Sequence, residues 1–115
     1  MSQKKLQNIC QKSLEDNKAE NILSLDIEGI SSFADVIMIA TANSNRHAKS
    51  LADKLVESIK AANKNVLNVE GKVGSGWILV DCGGVVVNIM KEDIREFYDL
   101  EGLWGENTLL NSSNQ

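Results

Sequence analysis

The sequence predicts a single α/β domain in which helices pack on a mixed β-sheet. Three observations carry that prediction. Helical and strand periodicities alternate in the order αββαβββα, the pattern of a sheet covered by helices. Two apolar runs, Trp77 to Cys82 and Val85 to Met90, are separated only by Gly83-Gly84, a spacing that closes a tight antiparallel hairpin. No linker and no internal repeat divides the 115 residues, a length suited to one core.

Each element follows from its own pattern. Leu6, Ile9, Cys10 and Leu14 recur at three-to-four spacing and mark the inner face of a first helix, with Lys4, Lys5 and Lys12 outside. From Ile22 to Glu28 the chain alternates. Leu23, Leu25 and Ile27 point inward and Ser24, Asp26 and Glu28 outward, as in a half-buried strand. After Gly29, the continuous run from Asp35 to Ala40 predicts a central strand covered on both faces. Ser44 suits a helix N-cap, and Ala48, Leu51, Ala52, Leu55, Ile59 and Ala62 then line the inner face of a long helix. Val66 to Val69 is a short strand, and a glycine-rich loop from Gly71 to Gly76 leads into the hairpin. Its Gly83-Gly84 turn tolerates the positive φ angles of type I′. From Glu92, the stripe Ile94, Phe97 and Leu100 predicts a last helix with these side chains buried, ended by Gly102 and Gly105. The domain is expected to span 1–106, with Asn107 to Gln115 a frayed polar tail.

Composition narrows the function. A hydrophobic content of 43% and a charged content of 24% are those of an ordinary globular chain. The net charge of -4 and pI near 4.9 argue against non-specific nucleic-acid binding, because that binding rests on Lys and Arg neutralising phosphates, and no direct sequence-specific nucleic-acid partner is expected. No apolar stretch is long enough to span a membrane, and the start MSQKKLQNIC lacks the apolar core of a signal peptide. Cys10 and Cys82 have no metal-ligand spacing; they read as small buried apolar residues in a reducing cytoplasm.

The charge is unevenly placed. From Lys91 to Glu106 the acids are Glu92, Asp93, Glu96, Asp99, Glu101 and Glu106, against Lys91 and Arg95, so this segment carries the net charge of the whole chain. It also holds Phe97, Tyr98 and Trp104 among the chain's five aromatics. A solvated helix face has no need of large aromatics between its acids, so the segment reads as a docking surface for a basic protein. Tyr98, Glu101, Leu103 and Trp104 lie off or beyond the buried stripe and are the leading interface candidates. Trp77, at the start of the hairpin, is either core or a half-exposed anchor. Asp81 is either a partner-facing acid or a carboxylate that accepts from backbone N–H groups at the Gly83-Gly84 turn. Ser44-Asn45-Arg46-His47 is a helix start that suits an anion, but helix caps far outnumber ligand sites and the cap reading leads.

The pattern GWILVDCGGVVV followed by Arg95, Tyr98, Leu100-Glu101 and Leu103-Trp104 resembles the iojap family, the bacterial ribosomal silencing factors. Upstream, Ser31-Ser32, Asp35, Thr41, Ser44, Arg46-His47, Ala52-Asp53 and Val69-Glu70-Gly71 continue the resemblance in one register. Asn88 departs from it, since most members carry His there. The resemblance implies a fold similar to that of nucleotidyltransferases. It also implies a translational repressor that binds large-subunit ribosomal protein L-fourteen on the free large subunit and blocks joining of the small subunit, by steric occlusion and without a cofactor. A metal-dependent nucleotidyltransferase needs closely spaced carboxylates to hold divalent cations. Here Asp35 stands alone, with Ile37 at the place of a second acid, so the sequence predicts that topology without the catalytic carboxylates, no metal site and no enzyme. The alternatives are a nucleotidyl-transferring enzyme and a homodimeric structural module.

Overall fold

The computed structural model describes residues 2–29, 32, 34–71, 74–100 and 102. Its elements follow the predicted order: α1 (Ser2–Asp16), β1 (Glu20–Asp26), β2 (Val36–Ala42), α2 (Asn45–Ala61), β3 (Asn68–Glu70), β4 (Trp77–Asp81), β5 (Val85–Lys91) and α3 (Glu92–Tyr98). The strands form one sheet in the order β1-β2-β5-β4-β3. β2 and β5 run parallel, and the other neighbours are antiparallel. The β2-to-β5 crossover carries α2, as a parallel connection requires.

Strand alternation sorts the core into two layers. Val36, Met38, Ala40, Val80, Val87 and Ile89 face the helix layer, where they meet Leu14 of α1 and Leu51, Leu55 and Ile59 of α2. Their neighbours Ile37, Ile39, Val86 and Met90 face the other way, into a second cluster with Leu25 and Ile27. Every residue of β2 is buried, which explains its unbroken apolar run. Two long helices cover the first face. On the second, Ile94 at the start of α3 and Leu100 beyond its end pack against the cluster.

α2 starts at Ser44, whose Oγ accepts from the His47 backbone N–H at 3.0 Å. His47 then ties three segments together. Its Nδ1 accepts from Asn43 N at 2.9 Å, and its Nε2 lies 3.0 Å from the Asn17 carbonyl. The helix start is thus a cap that locks α2 to the end of α1, as the leading sequence reading held. Its bonds run to Asn17 and Asn43.

Four expectations need correction. Ser24 is fully buried, because α1 covers that side of β1, so the strand is not half-solvated there. β3 begins two residues later than Val66, at Asn68, since pairing to Asp81, Val80 and Leu79 sets its extent. In the hairpin turn only Gly83 has positive φ, +90°, whereas type I′ needs it at both turn residues, so the turn is not type I′. The last helix stops at Tyr98, where Asp99 adopts the left-handed conformation at φ 49°. Leu100 therefore reaches the core from beyond a break rather than along a continuous stripe. Gly105 and the expected tail from Asn107 to Gln115 lie outside the described residues. Among the described residues no helix is long and apolar enough to cross a membrane.

Candidate functional site

β4 and α3 build the site together. The two-residue turn fixes the hairpin register, which places Trp77 opposite Met90 and Leu79 opposite Asn88. Trp77, Leu79 and Asn88 therefore project from the same face, toward α3. The Trp77 indole Nε1–H donates to Asn88 Oδ1 at 2.9 Å. Asn88 is a buried polar side chain, and this bond supplies its Oδ1 with a partner. Asn88 thus holds the edge of the tryptophan.

α3 is brought onto this face by both its ends. It begins directly after β5, with Lys91 N donating to Gly76 O at 2.8 Å. Gly76 has φ +81°, and a Cβ there would come within 2.9 Å of Ile94 Cγ1, so only glycine lets the loop pass under the helix. Arg95 reaches back from α3 to the far strands and donates from Nη1 to Thr41 Oγ1 and to the Asn21 carbonyl, each at 2.7 Å. Its positive charge is turned toward the sheet. Glu92, Asp93, Glu96 and Asp99 remain exposed on the outside.

With the helix so placed, Tyr98 meets the tryptophan in a tilted ring contact. The Trp77 and Tyr98 ring centroids lie 4.8 Å apart at an interplanar angle of 52°, and Phe97 meets Tyr98 edge-on at 5.0 Å and 86°. The edge-on pair suits the aromatic quadrupole. Trp77 is half-buried, Tyr98 is 51% exposed and Phe97 79% exposed. A cleft of about 430 Å³ opens beside them, lined by Glu70, Gly71, Ser75, Trp77, Leu79, Ile94 and Tyr98. The arrangement is a partly exposed aromatic platform beside an acidic helix. It can bind a protein surface.

Trp77 and Tyr98 are brought together as candidates. Asp81 lies apart, at the turn end of β4, where its Oδ1 accepts from Gly83 N at 2.9 Å. This is the turn-bracing alternative read from sequence. Glu101, Leu103 and Trp104 lie outside the described residues. Phe97, expected in the core, is instead an exposed part of the platform. At about 100° per residue, it lies on the opposite flank of Ile94 from Tyr98, and the helix ends before a second buried turn can form. Sequence reading missed Asn88 as a partner of Trp77. The signal was present in the hairpin register, since a two-residue turn puts position 88 diagonally across from 77.

Among the described residues no group of three or more His, Cys, Asp or Glu side chains is arranged to hold a metal ion. The position two residues after Asp35 is Ile37, a core residue of β2.

Comparison with known proteins gives one answer. A family model described as ribosomal silencing factor during starvation matches residues 1–115. The ribosomal silencing factor RsfS of Bacillus subtilis is 38% identical over 106 residues, which cover 92% of this chain and 90% of that protein. The RsfS of Zymomonas mobilis is 38% identical over 93 residues, 81% of this chain and 70% of that one. The crystal structure of a Chromobacterium violaceum protein superposes with a TM-score of 0.86 at 35% identity, covering 89% of this chain and 85% of the other. Fold, motif order and overall similarity agree, and the chain belongs to the family of ribosomal silencing factors.

Proposed function

We propose that this protein represses translation by docking on large-subunit ribosomal protein L-fourteen of the free large subunit, where its bulk blocks association with the small subunit. The contact surface is the platform of Trp77 and Tyr98, flanked by Phe97 and the acids of α3. Glu101, Leu103 and Trp104 extend it in sequence, and Asp81 has a bracing role at the turn. The observation that supports this reading is the tilted Trp77–Tyr98 ring pair, with Trp77 held by Asn88 and the pair left partly exposed beside a helix whose outward charges are acidic. Aromatic anchors in a charged surround are the usual composition of binding hot spots. Ribosomal proteins are mostly basic, so an acidic surround steers the encounter and sets its orientation. The same charge repels bare ribosomal RNA.

The action is occlusion, not catalysis, and its setting is the cytoplasm. Ile37, buried in β2, takes the place where a nucleotidyltransferase would carry a second metal-binding carboxylate. Sedimentation of the protein with separated ribosomal particles tests the reading. Co-migration with free large subunits, and a dose-dependent fall in joining of purified subunits, is the expected result. Binding only to small subunits, or unchanged joining at saturating protein, would refute it.

A further inference from the structure

The net charge of -4 averages over two unlike faces. Residues 2–18 and 45–64 hold α1, α2 and the turn after each. They carry nine of the chain's 12 Lys and Arg residues, but four of its 16 Asp and Glu. The helix layer is therefore net positive, and the excess of acid lies in the rest of the chain.

The outward side of the helices carries this charge. Leu6, Cys10 and Leu14 on α1, and Leu51, Leu55 and Ile59 on α2, are buried. Positions off these stripes face solvent on a 3.6-residue turn, and Lys4, Lys5, Lys12, Lys49 and Lys60 are exposed. Two ion pairs within the helices, Lys12–Asp16 at 3.4 Å and Lys49–Asp53 at 3.0 Å, offset part of the charge. Neither involves Lys4, Lys5, Lys60 or Lys64.

The fold gathers those four lysines at one corner. The end of α1 meets the start of α2, where His47 Nε2 lies 3.0 Å from the Asn17 carbonyl. The start of α1 correspondingly lies beside the end of α2, and Leu6 and Lys64 line one cleft of about 270 Å³ next to Gly83 and Gly84. Lys4 and Lys5 immediately precede Leu6, and Lys60 stands one turn before Lys64. Asp81, the acid nearest the hairpin turn in sequence, accepts from Gly83 N.

RNA suits this corner. Its backbone repeats a phosphate at every nucleotide, so several lysines engage it at once and release counterions. It is also the main polyanion of the ribosome, the particle that the family silences. An anionic membrane fits less well, because interfacial helices set large apolar side chains beside their cations. The exposed large apolar residues Leu67, Val69, Phe97 and Tyr98 lie on neither α1 nor α2. We propose that the α1–α2 layer is an RNA-contact surface, centred on Lys4, Lys5, Lys60 and Lys64, that holds the phosphate backbone without reading sequence. It lies across the sheet from Trp77 and Tyr98. One molecule thus presents acids and aromatics to a protein on one side and lysines to RNA on the other.

The test is fluorescence anisotropy of a labelled RNA duplex titrated with the full chain. No ribosome is present, so the outcome is independent of docking through the platform. Saturable binding at low salt is expected, weakening roughly 50-fold or more over a fourfold rise in KCl, as for about four neutralised phosphates. Replacing all four lysines by Gln should remove most of the binding and flatten its salt dependence, with far-UV circular dichroism unchanged. If that variant does not fold, the pairs Lys4→Gln with Lys5→Gln, and Lys60→Gln with Lys64→Gln, should each remove about half of the salt dependence. Tyr98→Ala should bind the duplex like the parent. Lys64→Gln and Lys91→Gln change the net charge equally, and the first should weaken binding at least about twofold more than the second. No binding at low salt, equal losses in those two variants, or parental binding by a folded variant lacking the lysines would overturn the proposal. So would tighter binding to phosphatidylglycerol vesicles than to RNA at the same salt.

Discussion

Trp77 is held from two directions, by a hydrogen bond from its indole edge to Asn88 and by the Tyr98 ring beside it. Losing the bond leaves a part-buried N–H without a partner, a defect that costs about 1–3 kcal/mol. Asn88→Leu should therefore destabilise the chain by about that amount in urea denaturation, and it should alter Trp77 fluorescence. Asn88→His offers a ring nitrogen as acceptor. It should keep most of the stability, whereas equal losses in the two variants would show that the bond is not what matters at this site. At this scale the sequence was a partial guide. Trp77 and Tyr98 stood out by residue type and position. Asn88 stood out only as a mismatch, because a buried asparagine carries no sign of its partner until strand register is applied. Phe97 was misread because helical spacing alone cannot say where a short helix ends.

α3 has seven residues, too few to be stable as an isolated helix. Its position depends on Ile94 in the second core cluster, on the close passage at Gly76, and on Arg95 reaching Thr41 and Asn21. Arg95→Met keeps the apolar stem and removes the guanidinium bonds. A charge-assisted hydrogen bond contributes about 1.5–3 kcal/mol, so global stability should fall by about 2 kcal/mol, with the largest loss of amide-exchange protection over residues 92–98. Unchanged protection there would mean that packing of Ile94 alone holds the helix. The long elements were the most legible part of this fold. α2 was read from its cap to its inner face, since Ser44 and the stripe from Ala48 to Ile59 agree. Short elements were less so: β3 and the end of α3 are set by pairing and by a left-handed Asp99, which are tertiary and conformational facts rather than periodic ones.

The whole molecule is asymmetric in a way that bears on its action. One face of the sheet is covered by α1 and α2. The other carries α3 along β5 and β2, with the Trp77 cleft on one flank and a larger cleft of about 590 Å³, including Asn21, Leu23, Thr41, Arg95 and Glu96, on the other. Composition and element order disclosed the α/β class and the mixed sheet. The pairing of β4 with α3 that creates the platform joins segments of different periodicity, and no local pattern announces it. Docking through this platform is tested by the affinity of the purified large subunit for Tyr98→Ala, measured together with the variant's unfolding curve. Because Tyr98 is half exposed, the variant should keep a near-parental melting temperature and lose about 2 kcal/mol or more of binding, the mark of a hot-spot residue. Parental affinity in a normally folded Tyr98→Ala chain would contradict it.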